Sequence, residues 1–420
     1  MEKITAPRGT KDVLPEESRS WQILEGKLRE LAHRFGFREI RFPTFEDAAL
    51  FDRGVGDTTD VVQKEMYDFN DKGGRHIALR PEGTASVVRS FIENSLYAKG
   101  LPLKVYYIAP NFRYEKPQAG RLREHHQFGV EYFGSADASA DAEVISLAAT
   151  MLSELGIEDV KLHINSCGCK ECRREYHAAL KKYFESRKSE LCNTCRDRLE
   201  RNPMRILDCK SEVCKEISKG APKISDFLCD NCREHFEKLQ EYLTETGIAF
   251  EIDPMLVRGL DYYTNTVFEF VSGSLGAQSA VCGGGRYNGL VESLGGPQTP
   301  GLGFGCGIER LMLTLEAAGK LPNDALVPDI FIAYADPDAE ALSHKLVYEL
   351  RRLGISAERD TTGRSLKAQM KYASKLGAVR SLVIGGDEIS SKKAVIKNME
   401  SGERTECALS AEDIAKECSK

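Results

Sequence analysis

Between Ile108 and Gly134 the chain reads IAPNFRYEKPQAGRLREHHQFGVEYFG, and no other stretch limits the fold as much. The flanks VYYIAPNFRYE and HHQFGVEYFG read as strands, and KPQAGR supplies Pro and Gly for a turn. The pattern predicts two strands joined by a charged loop. Arg113, Glu115, Lys116, Arg121, Arg123, Glu124 and Glu131 crowd into it, with Gln127 among them. Side chains two apart on a strand share a face, so Arg113 and Glu115 can be aimed together. One is a cation for phosphate, the other an acceptor for an amino group, which suits a nucleotide lying on a sheet. Charge by itself fits a solvated hairpin better.

The 420 residues leave room for two or three domains. Residues 1–164 alternate helix and strand signals. An amphipathic helix is expected over Ser18–Phe35, with Trp21, Leu24, Leu28, Leu31 and Phe35 on one side. FGFREIRFPTFED reads as one extended strand ending near Pro43. HIALRPEGTASVVRSFIEN reads as strand, turn and helix, with Thr84 starting the helix. A further helix is expected from Ser139 to Leu155, closed by Gly156.

Residues 165–240 change character. Nine of the thirteen cysteines lie between Cys167 and Cys232, and 17 basic against 13 acidic residues give this segment a net +4 in a chain of net −6. Short helices are expected, with a basic face suited to nucleic acid; an ordinary insert of mixed charge fits the count as well. Residues 241–325 return to Gly-dense strands. From Pro328 the pattern is strand, helix, strand, helix, strand, then a last strand and helix, which predicts a small sheet with parallel strands. The N-terminus MEKITAPRGTKDVLPEE has no apolar signal region, and no run reaches membrane-spanning length. A cytoplasmic protein is expected, its cysteines thiols or metal ligands rather than disulfides.

Neither G-x-x-x-x-G-K-[ST] nor G-x-G-x-x-G occurs, so a parallel-sheet NTPase or dehydrogenase is not expected. Arginines and strand backbone must then hold any nucleotide. Arg310 stands in GLGFGCGIERLML, at the start of a helix whose apolar face is Ile308, Leu311, Met312 and Leu315. There its charge adds to the positive helix end, and the preceding glycines let a nucleotide approach the backbone. Arg258 stands in LVRGLDYYTNTVFEF.

FRYE, then GR, then HQFGVE resembles motif 2 of class II aminoacyl-tRNA synthetases, in the form found in histidyl-tRNA synthetases. GLGFGCGIERLML resembles motif 3, and RGLDYYT and CGGGRYNGLVESLGG resemble two segments of that family. LRPEGT is similar to its amino-acid-binding turn and RGTKDVLPEE to its N-terminal segment. The resemblance spans essentially the whole chain. It implies an α+β fold: an antiparallel-sheet catalytic domain (1–164 and 241–325), a Cys-rich helical insertion (165–240) and a C-terminal α/β anticodon-binding domain (329–420). It implies a histidine–tRNA ligase that makes histidyl-adenylate from L-histidine and ATP, then charges tRNA(His). A homodimer, with motif 1 around Phe37–Phe45 at the interface, is implied too.

The same resemblance assigns residues. Arg258, Arg113 and Arg310 are the catalytic cations. Glu82, Gly83, Thr84, Gln127, Glu131, Arg258, Tyr262 and Tyr263 bind histidine. Glu82, Thr84 and Gln127 take the ammonium, and Glu131 and Tyr263 take the two ring nitrogens. Arg113, Glu115, Arg121, His125 and Arg310 bind ATP, which comes with Mg²⁺. His125 stands where the family pattern has a Phe stacked on adenine, and Lys116 where Arg is common. No residue suggests itself as general base for the transfer step.

Two readings compete. A regulatory paralogue that only binds ligands would lack the C-terminal domain and shed active-site residues, whereas Arg113, Arg258 and Arg310 are all present. A zinc-dependent nucleic-acid-binding protein would explain the cysteines but not RGLDYYT. Cys192-x-x-Cys195 and Cys229-x-x-Cys232 have the spacing of a four-thiolate structural Zn²⁺ site, with buried reduced thiols as the alternative.

Overall fold

The computed structural model describes residues 3–56, 59–273, 280–322, 324 and 326–419. It divides into two compact units, Met1–Pro322 and Asn323–Lys420. In the first unit the strands are β1 (Arg38–Glu39), β2 (Phe45–Asp47), β3 (Tyr67–Asn70), β4 (His76–Leu79), β5 (Leu103–Phe112) and β6 (Glu124–Phe133). They continue with β7 (Val160–Ser166), β8 (Glu251–Ile252), β9 (Thr264–Ser272), β10 (Ala280–Arg286) and β11 (Gly301–Gly307). Eight form one sheet in the order β1-β5-β6-β11-β10-β9-β7-β8, antiparallel except where β1 meets β5 and β7 meets β8. A small antiparallel sheet holds β2, β4 and β3.

The charged hairpin is β5–β6, paired from Leu103↔Phe133 to Phe112↔Glu124. Arg113 and Glu115 lie beyond the regular strand rather than on it. Arg113 N–H still donates to Arg123 C=O at 2.8 Å, but Glu115 N–H turns back to Arg113 C=O at 2.8 Å. Pro117, which has no N–H to give, follows, and a Gln118↔Arg121 bridge closes the tip. FGFREIRFPTFED likewise breaks into β1 and β2 around Pro43; there the buried Arg80 donates to the carbonyls of Phe42 at 3.2 Å and Pro43 at 2.5 Å.

Alternation along β6 and β11 sorts their side chains. Phe128 and Val130, with Leu302, Phe304 and Cys306, face a core built with helices Pro15–Arg34, Ala138–Glu154 and Ile308–Ala317. Leu24, Leu28, Leu147 and Leu311 are completely or almost completely buried there, each contributing about 1.5–3 kcal/mol of apolar burial. Asp137 starts helix Ala138–Glu154 by accepting from Ser139 N–H at 2.8 Å. The opposite face carries Gln127, Gly129 and Glu131 on β6, and Gly301, Gly303, Gly305 and Gly307 on β11. One face of the sheet is thus filled and the other left open.

The Cys-rich segment holds helices Lys170–Glu185, Asn193–Arg201, Glu212–Ser218 and Asp230–Glu245. Two of them are 16 residues long, longer than the composition suggests. Position 240 falls inside the last, whose Leu239 and Leu243 join the main core.

The second unit has β12 (Ile330–Tyr334), β13 (Ala357–Arg359), β14 (Arg380–Ile384), β15 (Lys393–Asn398) and β16 (Arg404–Ala408) in the order β13-β12-β14-β15-β16. The first three are parallel, as the strand–helix alternation predicts, and β15 and β16 are antiparallel. The sequence pattern predicts one strand where this hairpin supplies two. Gly402, at φ +75°, makes its turn. No helix among the described residues is long and apolar enough to cross a membrane.

Candidate active site

Glu82, in the loop between β4 and helix Thr84–Glu93, lines the cavity over the open face of the large sheet. Its carboxylate accepts from the backbone N–H groups of Thr84 at 2.8 Å and Ala85 at 2.7 Å, the first turn of helix Thr84–Glu93. These donors have no partner within the helix, so an acid there is stabilised by them. Burial still pushes the Glu82 carboxyl above its ordinary range. Gly83 leaves room for the Tyr107 ring, which Gly129 of β6 admits from the other side; a Cβ at either would overlap that ring.

Glu131 is 1% exposed. Thr84 hydroxyl donates to its Oε1 at 2.7 Å, and Tyr287 hydroxyl to its Oε2 at 2.5 Å. Burial pushes this carboxyl up to about 8, with the nearby Glu82 adding to the rise. Gln127 lies beside it, and its side-chain carbonyl accepts from Asn111 Nδ2 at 2.7 Å, which leaves that oxygen a second lone pair. Gly303 and Gly305 make space for these two side chains: a Cβ on Gly303 would overlap Glu131 and Val130 C=O, and one on Gly305 would overlap Gln127 Nε2. Only Gly307, with nothing closer than Arg310 at 3.8 Å, is open in the way expected for an approaching nucleotide.

Arg258 lies flat over β10, where a Cβ on Gly283 would come within 2.7 Å of Nη1. It forms an ion pair with Glu269, while its Nε is buried with no hydrogen-bond partner among the described residues. Burial opposes its charge, but Glu269 and Tyr263 together more than offset this and raise its pKa. Arg113 Nε donates to Pro81 C=O at 2.8 Å. Arg310 donates to Gly120 C=O at 3.2 Å and Ala280 C=O at 2.7 Å. Arg121 forms an ion pair with the buried Glu115. Burial lowers the pKa of both Arg121 and Arg310, and the charge of Arg113 adds to it in each case. Such crowded, partly desolvated cations favour an anion among them. Burial and then Arg113 hold His125 down at about 3, so this ring is neutral at physiological pH.

Two cavities share this face. The larger, about 650 Å³, is lined by Glu82, Thr84, Tyr262 and Tyr263. The smaller, about 230 Å³, is lined by Glu115, His125 and Arg310. Arg113, Arg121, Gln127 and Arg258 line both. Gly83 and Glu131 line neither; they sit directly behind the wall formed by Thr84, Tyr107 and Tyr287. Lys116 is exposed on the hairpin tip.

Sequence reasoning passed over four residues. Tyr287 holds Glu131, Glu269 holds Arg258, Asn111 holds Gln127, and Tyr107 fills the space between two glycines. A lone Glu in the apolar run TVFEFV, and the Tyr of GGGRYNG, were available signals. The cysteine expectation needs correction. Cys192, Cys195, Cys229 and Cys232 do not converge: the first pair groups with Cys209 and Cys214, the second with Cys169 and Cys172. Spacing along the chain cannot reveal this pairing, because the helices between the cysteines decide it.

A family model described as histidyl-tRNA synthetase matches residues 9–311, and one described as anticodon binding domain matches residues 329–420. A protein named histidine–tRNA ligase from Caldanaerobacter subterraneus subsp. tengcongensis is 56% identical over 405 residues, 96% of this chain and 97% of its own length. One of the same name from Clostridioides difficile is 53% identical over 406 residues, again 96% of this chain and 97% of its own. A crystal structure of apo S. aureus histidyl-tRNA synthetase superposes with a TM-score of 0.84 at 40% identity, covering 100% of both chains.

Proposed function

The chain belongs to the histidyl-tRNA synthetase family, and we propose which of its residues carry the histidine–tRNA ligase activity. The observation that carries this reading is the shared wall of the two cavities: Arg113 and Arg258 line both, as a reaction between a histidine in one and a nucleotide in the other would need.

Histidine occupies the larger cavity. Its ammonium is received by Glu82, Thr84 and the side-chain carbonyl of Gln127. Thr84 can donate to Glu131 and still accept from the ammonium. Tyr263 bonds one ring nitrogen and Glu131 the other, the imidazole taking the place of the Thr84 or Tyr287 hydroxyl that covers Glu131 in the ligand-free site, with Tyr262 shaping the pocket. A protonated Glu131 carboxyl donates to the acceptor nitrogen of imidazole; an ionised one accepts from its N–H. ATP, arriving with Mg²⁺, occupies the smaller cavity. Glu115 reads the adenine amino group and neutral His125 stacks on the base. Arg121 and Arg310 hold the outer phosphates, Arg121 exchanging its bond to Glu115 for the nucleotide.

A histidine carboxylate oxygen attacks the α-phosphorus in line. The new bond is C(=O)O–Pα; the Pα–O bond to pyrophosphate breaks. Two anions must meet, so Arg113 and Arg258 are most useful where charge concentrates on the α-phosphate. The histidyl group then passes to the terminal ribose of tRNA(His), with AMP leaving.

We assign residues 1–164 and 241–325 to catalysis, 165–240 to a basic insertion facing tRNA, and 329–420 to the anticodon. The exposed Phe45 and Phe69 of the small sheet, 58% and 49% exposed, suit a homodimer interface. A cytoplasmic setting follows from the substrates. The direct test is charging of a tRNA(His) transcript with labelled histidine; charging is expected, and none from folded protein would contradict the reading.

Four variants probe the two pockets separately. In Gly305→Ala the new methyl meets only the end of Gln127, so the fold should survive while KM for histidine rises about 10-fold or more through loss of an oriented hydrogen bond. Gly303→Ala meets backbone as well and should lower the melting temperature. His125→Phe should keep KM for ATP within about 3-fold, whereas His125→Ala should raise it by roughly 10-fold, the worth of one base–ring stack. Steady-state kinetics in each substrate check both.

A further inference from the structure

None of the thirteen cysteines has a part in this chemistry, and eight of them form two groups of four. Cys169, Cys172, Cys229 and Cys232 make one, and Cys192, Cys195, Cys209 and Cys214 the other. In each group all four Sγ atoms lie within 4.8 Å of one another. Individual separations are 3.5 Å for Cys169–Cys172, 4.0 Å for Cys169–Cys229 and 3.8 Å for Cys192–Cys209. Zinc with four sulfurs at about 2.3 Å in a tetrahedron places sulfurs about 3.8 Å apart. A disulfide would need about 2.05 Å, and all thirteen cysteines are free thiols.

We propose that the segment 165–240 carries two structural zinc ions, each bound by one of these four-thiolate groups.

Backbone amides reinforce both. Cys229 N–H donates to Cys172 Sγ at 3.1 Å, Cys192 N–H to Cys214 Sγ at 3.3 Å, and Ser211 N–H to Cys209 Sγ at 3.4 Å. Such donors stabilise thiolate over thiol. Cys169, Cys192 and Cys229 each immediately precede a helix, of 16, 9 and 16 residues, whose positive end offsets thiolate charge. In each group three or two thiols are buried and at least one is partly open, which gives a metal its way in. Four sulfurs and no other donor select a soft divalent ion. With no position left for water, the role is structural.

The two ions do different work. The first joins the start of the segment, Cys169 and Cys172, to Cys229 and Cys232 near its end. The second fixes the stretch that brings Arg198 to Asp60 at 2.9 Å and Arg205 to the carbonyl of Arg258 at 3.0 Å. The zinc assignment rests on the cysteine groups and their surroundings and stands or falls independently of the proposed residue roles.

The test is metal analysis of the full chain, purified reduced and without chelator from zinc-replete cells. Two zinc ions per chain are expected, falling to one in Cys172→Ser and to one in Cys214→Ser, and staying at two in Cys407→Ser. Because a cysteine variant can fail to fold, the native chain is also exchanged with Co²⁺, which should bind twice with the visible spectrum of tetrahedral four-sulfur cobalt. No zinc, one equivalent, iron in its place, or cobalt with oxygen-ligand spectra would overturn the proposal.

Discussion

Arg258→Ala should lower histidine-dependent ATP–pyrophosphate exchange by about 10³-fold, nearly all of it in kcat. Arg258 lines both cavities, and its guanidinium lies flat on glycine with Glu269 behind it. Its charge matters most when carboxylate and phosphate come together, so the loss falls on the transition state rather than on either ground state. The substitution also strips Glu269 of its partner, so the melting temperature should fall as well. Arg258→Lys separates the two effects. It keeps a charge beside Glu269 but loses the planar fork, and should recover stability while remaining about 10²-fold slow. Equal activity in wild type and both variants would remove Arg258 from the reaction.

Glu131→Gln should raise KM for histidine by roughly 10²-fold with a smaller change in kcat, because a buried site built for imidazole strands its polar groups when one is mismatched. The substitution also has a pH signature. Burial holds the Glu131 proton up to about 8, against an ordinary 4.5. Between those values the folded chain keeps a proton that the unfolded chain releases, so stability falls as pH rises. The contribution is fully present below about 4.5 and lost as pH passes about 8. Glu82, Thr84, Tyr107, Tyr263 and Tyr287 face this carboxyl and remain in the variant. Urea midpoints of the ligand-free protein at pH 5.5 and 8 should therefore diverge more in wild type than in Glu131→Gln. Parallel behaviour would mean that Glu131 is ionised throughout.

The sequence carried the site further than it carried the joints of the fold. Alternation along HHQFGVEYFG already puts Gln127 and Glu131 on one face, and β6 has that arrangement. GLGFGCG alternates glycine with apolar residues, which tells of one packed face and one bare one. What fills the bare face is another matter: Gln127 and Glu131 come from a neighbouring strand, and only its pairing shows that Glu131 stands opposite Gly303 and that Gln127, opposite Gly307, leans over Gly305. Arg113 and Glu115 look like strand residues because they alternate, yet Pro117 and the Gln118–Arg121 bridge end the strand before them. Partners one layer back stayed hidden for the same reason. Tyr287, Glu269 and Asn111 act on other residues, and nothing local marks the residue each will meet. Spacing is also blind to the partition of eight cysteines into two groups, since that depends on where helices Lys170–Glu185 and Asp230–Glu245 return.

The most direct measurement is ATP–pyrophosphate exchange with each of the twenty amino acids, alongside Arg258→Ala. Exchange with histidine alone, about 10³-fold lower in the variant, is the expected result. No exchange from a folded chain that still binds histidine would contradict the account and leave Arg113, Arg258 and Arg310 as ligand-binding groups without catalysis.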